Sequence, residues 1–207
     1  MSESRLAGYL LFTGSLLVLT TITFEYSIGW LDVVLSTEEG LTFLRENWKG
    51  MNIIWTVQFM GFILWCISFL LLLKAKNGFP AVLWASLFLC MVMVAVGYSI
   101  TLGSYPSALN AIRESPEIFN TVRGAVSVLY GYGLRVGLLL LLLNFVIETF
   151  RKSGIVGLRL GSITLLIFVL GIIVGQLSPL PMKLTSATIF LIPLMTGLSI
   201  ISAHKRS

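Results

Sequence analysis

Six apolar runs limit what this chain can fold into. Residues 6–28, 52–73, 79–102, 122–147, 155–177 and 184–203 each reach the roughly 20 residues that a helix needs to cross about 30 Å of hydrocarbon. The 207-residue chain leaves too little sequence between them for a separate soluble domain. SFLLLL and LLLLLL show no alternation of period two, which excludes the strands of a membrane barrel. Composition agrees: 57% of residues are hydrophobic and 11% charged, where a soluble domain carries about one-quarter charged residues. The expectation is an all-α, polytopic membrane protein, a six-transmembrane-helix bundle forming a single membrane domain over residues 1–207.

The distribution of Lys and Arg sets the expected orientation. The N-terminus, the turns at 74–78 and 148–159 and the C-terminal tail carry eight basic and two acidic residues. The opposite side carries five basic and seven acidic residues, and Arg135 lies inside a span. Both termini are therefore expected on the cytoplasmic side of the cell (inner) membrane. The basic balance is a topology signal, and no nucleic-acid partner is expected. Ser27-Ile28-Gly29 resembles a signal-peptide cleavage site, but the apolar stretch before it is long and is read as a retained helix. Trp30, Trp48 and Trp55 on the outer side and Trp84 on the inner suit interfacial anchoring.

Two longer outer connections, 29–51 and 103–121, are expected to cap the bundle. Ser36-Thr37-Glu38-Glu39 has the form of a capping box ahead of Leu41, Phe43, Leu44 and Trp48, which predicts a short amphipathic helix at the interface. Pro106 and Pro116 can each start a helical turn. Pro193, in the middle of the last run, removes a backbone hydrogen bond and predicts a kink. No internal repeat emerges.

Several chemistries lack their residues. The one histidine, His204, lies in the polar tail, so a haem held by two histidines and His-rich metal sites are excluded. Cys66 and Cys90 stand alone on separate helices and read as packed free thiols. There is no phosphate-binding G-x-x-x-x-G-K-[ST] loop. No cofactor and no metal are expected, and an enzyme would have to work through Glu, Arg, Tyr or Cys alone.

The feature that most needs explaining is Arg135 within LYGYGLRVGLLLLLL, at the centre of the fourth run. An unpaired guanidinium at the bilayer centre costs on the order of 3 kcal/mol, so it should face protein or water. Helical spacing puts Gly124, Gly131, Tyr132, Arg135, Leu138, Leu139 and Leu142 on one stripe, polar above Arg135 and leucine below. Other spans repeat this asymmetry, with Thr20, Thr21, Thr23 and Glu25 in the first, Gln58 in the second, Tyr98 and Thr101 in the third and Gln176 in the fifth.

This pattern predicts a polar pocket open to the outside. Arg135 would form its floor and Glu25 its counter-ion or a proton-coupled carboxylate. Tyr132, Tyr130, Gln58, Tyr98 and Gln176 are the candidate lining residues, with Tyr130 off the Arg135 stripe. The functional expectation is a protein that binds or transports a small anionic or amphiphilic ligand, with membrane lipid around it. The rival is a non-catalytic accessory subunit of a larger membrane complex. In that case Arg135 locks helices together or meets a neighbouring subunit or lipid headgroup. Gly133/Gly137, Gly157/Gly161 and Gly171/Gly175 would then supply close-packing faces, either inside the bundle or toward a homo-oligomer or membrane partner.

Overall fold

The computed structural model describes residues 2–30, 33–35, 37–74, 76–111, 116–151, 156–177 and 187–203. Among these the protein is all-helical, without strands. Its helices are α1 (Glu3–Ser27), α2 (Glu38–Lys74), α3 (Phe79–Ala111), α4 (Pro116–Phe150), α5 (Leu158–Leu177) and α6 (Leu191–Ala203), the last preceded by a 3-10 turn at Ala187–Phe190. Four of them, α1 to α4, are long and apolar enough to cross a membrane.

The helices begin and end for local reasons. Ser2 caps α1 by accepting from the backbone N–H of Arg5 at 3.4 Å. After Ser27 the chain reverses at Gly29, whose φ of +76° suits a residue without a Cβ. Ser36 lies outside the described residues. Thr37 caps α2, its hydroxyl accepting from Gly40 N–H at 3.1 Å. Glu38 and Glu39 fill the first turn and Lys74 the last, each favourable to the helix dipole.

The expected short interfacial helix does not stand apart. Residues 38–50 continue into the span as one 37-residue helix, because no proline interrupts the register. Pro106 sits inside α3 rather than starting a turn, whereas Pro116 does open α4. Pro193 falls in the first turn of α6, where its missing N–H has no intrahelical partner to lose. The discontinuity expected in the last run is therefore the change from 3-10 turn to α-helix.

Helices α1 to α4 pack successively in antiparallel pairs, and α6 packs mainly against α1. Going down α2, Trp55, Trp65 and Ser68 meet Glu25, Ser15 and Ala7 of α1 in turn, through hydrogen bonds of 3.0, 3.2 and 2.8 Å. Glycines permit the closest approaches. A Cβ on Gly14 would lie 2.7 Å from the Gly61 carbonyl, and one on Gly133 2.9 Å from the Cys90 carbonyl. Gly197 of α6 meets Gly8 and Phe12 of α1 in the same way. Gly133 and Gly137 thus face α3 within the chain, and Gly161 faces Thr149.

The interior is aromatic, with Phe62, Trp65, Phe69, Trp84 and Phe145 fully buried. Trp84 and Trp55 are buried in the core, while Trp30 and Trp48 are half-buried. The outer faces are also apolar: Val128, Val136, Leu139 and Leu143 of α4 and Ile163, Leu166 and Leu170 of α5 are exposed. A continuous apolar surface of this kind requires an apolar surrounding.

Candidate functional site

A pocket of about 620 Å³ opens where α1 and α3 near their ends and α4 begins. That volume lies in the range of small-molecule sites, roughly 300–1,000 Å³. Glu25 and Trp30 contribute from the α1 end, Val33, Val34 and Leu35 from the following segment, and Trp55 from α2. Tyr98, Thr101 and Tyr105 of α3 and Arg123, Val126, Ser127 and Tyr130 of α4 complete the wall. The α4 positions follow the spacing i, i+3, i+4, i+7 of one helix face.

Glu25 is the polar centre of the wall. Its side chain is 7% exposed, and Oε1 accepts the indole N–H of Trp55 at 3.0 Å. Gln58, buried behind the pocket, is a second hydrogen-bonding neighbour of this carboxyl. The Tyr98 hydroxyl donates to Gln58 Oε1, and Tyr130 lies within hydrogen-bonding reach of Tyr98. The chain Tyr130, Tyr98, Gln58, Glu25, Trp55 therefore links α4, α3, α2 and α1. Every member is positioned by a helix, which fixes the carboxylate far better than a loop would.

Aromatic rings form most of the remaining surface. Trp30 stands edge-on to Trp55 with centroids 5.2 Å apart, and Trp55 to Tyr105 at 6.2 Å. Tyr98 and Tyr130 meet at 5.3 Å in a T-shaped arrangement. Gly97 makes room for this contact, since a Cβ there would lie 3.2 Å from Tyr130. The pocket also holds one cation, Arg123. Among the described residues the one ion pair is Lys76–Glu148 at 3.3 Å, so neither Glu25 nor Arg123 has an ionic partner there.

Of the residues singled out from the sequence, Glu25, Tyr98 and Tyr130 line this pocket and Gln58 supports it. Arg135 and Tyr132 do not line it. Both stand exposed on the other side of α4, Tyr132 at 61%. The Gln176 side chain lies outside the described residues. Sequence reading missed Arg123, Trp30, Trp55, Tyr105 and Ser127 as site residues. Arg123 was legible only on a different stripe of α4, the one running through 123, 126, 127, 130, 133 and 137, whose two glycines mark the face turned toward α3.

The chemistry on offer is recognition. A fixed carboxylate, a cation, five aromatic rings and the hydroxyls of Thr101 and Ser127 surround a cavity whose remaining wall is aliphatic. Cys66 and Cys90 are free thiols on separate helices. Among the described residues no three His, Cys, Asp or Glu side chains gather as a metal site would require. Comparison with protein-family models, with curated proteins and with solved structures finds no match to this chain.

Proposed function

We propose that this is an integral membrane protein of six spans, with both termini cytoplasmic, whose aromatic pocket binds a small amphiphilic ligand on the extracytoplasmic side. The observation that carries the reading is the pocket itself: a cavity of about 620 Å³ with a largely aromatic and aliphatic wall around a buried Glu25 that has no ionic partner among the described residues.

Helix arithmetic supports the location. Glu25, Trp55, Tyr98 and Tyr130 each lie about 20 residues from the basic-flanked end of their helix, at Arg5, Lys74, Phe79 and Phe150 respectively. At 1.5 Å per residue that is about 30 Å, one hydrocarbon thickness. The four residues therefore share one level, the outer membrane–water boundary, and α2, α3 and α4 continue beyond it. A site at this level meets the polar end of an amphiphile while its chain remains in lipid.

The same arithmetic accounts for Arg135. It lies five positions inside Tyr130, about 7 Å below the boundary. Its stem can carry the guanidinium up to the headgroups. Arg135 then needs no protein partner.

Native mass spectrometry of the protein, extracted in mild detergent without added ligand, tests the proposal. A bound amphiphile should be retained by the natural chain and lost from Ser127→Trp, which fills the pocket. An equal adduct on both proteins would place the ligand elsewhere.

A further inference from the structure

We infer that the group bound at Glu25 is an organic ammonium ion, with an anionic group of the same ligand turned toward Arg123. This deepens the proposed function and rests on it. Three features of the pocket point to that chemistry. Glu25 is almost wholly buried yet lines the cavity, and it has no Lys or Arg within ion-pair distance among the described residues. A carboxylate can accept about four hydrogen bonds, so Trp55 and Gln58 do not saturate it. An ammonium group brings both the counter-charge and N–H or polarised C–H donors.

The rings supply the second feature. Trp30, Trp55, Tyr98, Tyr105 and Tyr130 all border the same cavity as Glu25. A cation over Trp or Tyr faces is stabilised by the ring quadrupole, and aromatic boxes are the recurring means of holding quaternary ammonium groups. An anion at this spot would meet both the carboxylate and the negative ring faces. Third, the pocket contains a cation of its own, Arg123, on the helix facing that cluster. A planar guanidinium suits phosphate or carboxylate. Opposite charges that share a pocket, neither paired with a described residue, fit a zwitterion with its two ends separated. A phospholipid headgroup and a water-soluble phosphocholine-like solute share this chemistry.

Tryptophan fluorescence of the detergent-solubilised full chain reads the site directly, because Trp30 and Trp55 form its wall. Choline, phosphocholine, glycerol 3-phosphate and a short-chain phosphatidylcholine serve as probes. Choline and phosphocholine should give saturable shifts, with phosphocholine the tighter. Glu25→Gln, which keeps an acceptor for Trp55, should weaken both by about tenfold. Arg123→Gln should weaken phosphocholine and, by removing a like charge from the cavity, strengthen choline. A phosphatidylcholine response much tighter than that of phosphocholine identifies a lipid as the source, and equal affinities identify a soluble solute.

The inference is overturned if glycerol 3-phosphate competes as well as choline, or if Glu25→Gln retains full affinity. An anionic amphiphile bound by the natural chain and lost in Ser127→Trp would overturn the ammonium assignment while keeping the pocket's binding role. Silence of every probe, with the same bound-molecule spectrum for Ser127→Trp, would overturn both.

Discussion

Trp55 donates its indole hydrogen to Glu25 at 3.0 Å, tying the end of α1 to α2 beneath the pocket. Trp55→Phe keeps the ring and removes the donor. Hydrogen bonds to charged groups contribute about 1.5–3 kcal/mol, so the variant should unfold at a lower temperature by a corresponding amount. In a double-mutant cycle with Glu25→Ala, which removes the acceptor, the two losses should be less than additive. Strict additivity would mean that the contact contributes nothing.

Gly14 and Gly61 set the α1–α2 spacing. A Cβ on either would press on backbone of the other helix, at 2.7 and 2.9 Å from a carbonyl oxygen, and backbone cannot rotate away. Gly14→Ala and Gly61→Ala should each destabilise by about 1–3 kcal/mol, the range for overpacking. Gly124 and Gly131 have open space where a Cβ would stand. Alanine there should be neutral or stabilise by up to about 1 kcal/mol. Thermal unfolding of the four variants in one detergent separates the two classes.

Lys76 and Glu148 pair at 3.3 Å at the opposite end of the bundle, with the Glu148 side chain 2% exposed. Lys76→Ala removes a charged hydrogen-bonding partner of that carboxylate; Lys76 itself is 19% exposed, and the loss should be about 1.5–3 kcal/mol. Lys76→Ala/Glu148→Ala should recover part of the loss. A double variant less stable than Lys76→Ala would show that Glu148 contributes mainly through other contacts.

Arg135 stands on the exposed face of α4, away from the pocket wall. Arg135→Leu should therefore leave the choline response intact and keep or raise the yield of extractable protein, since a lipid-facing charge is being removed. A chain that folds but no longer responds to choline would return Arg135 to the site.

The bundle was legible because run length and the requirement to satisfy backbone groups in lipid admit few alternatives. Glu25 and Tyr98 were legible as polar residues near the outer ends of apolar helices. Arg123 was harder to find. Centring the apolar run put Arg135 at mid-span and on the pocket stripe, but α4 extends from Pro116 to Phe150, and Arg135 stands on its exposed face. Facing was the other difficulty. The hydrophobic residues surround α4 on all sides, so periodicity alone could not say which stripe packs inward. Gly133 and Gly137 carried that information, because the smallest residues go where another backbone comes close. Trp30, Trp55 and Tyr105 looked like interfacial or loop aromatics, and only the continuous helices α2 and α3 bring them together.

Cysteine accessibility at Ser127 tests the central claim most directly. In a Cys66→Ala/Cys90→Ala background, Ser127→Cys places a thiol in the pocket wall. A cationic methanethiosulfonate should modify it faster than an anionic one, and phosphocholine should protect it. Glu25→Gln should abolish both the charge preference and the protection. Equal rates for the two reagents, with no protection by phosphocholine, would contradict an ammonium-binding pocket at this end of the bundle.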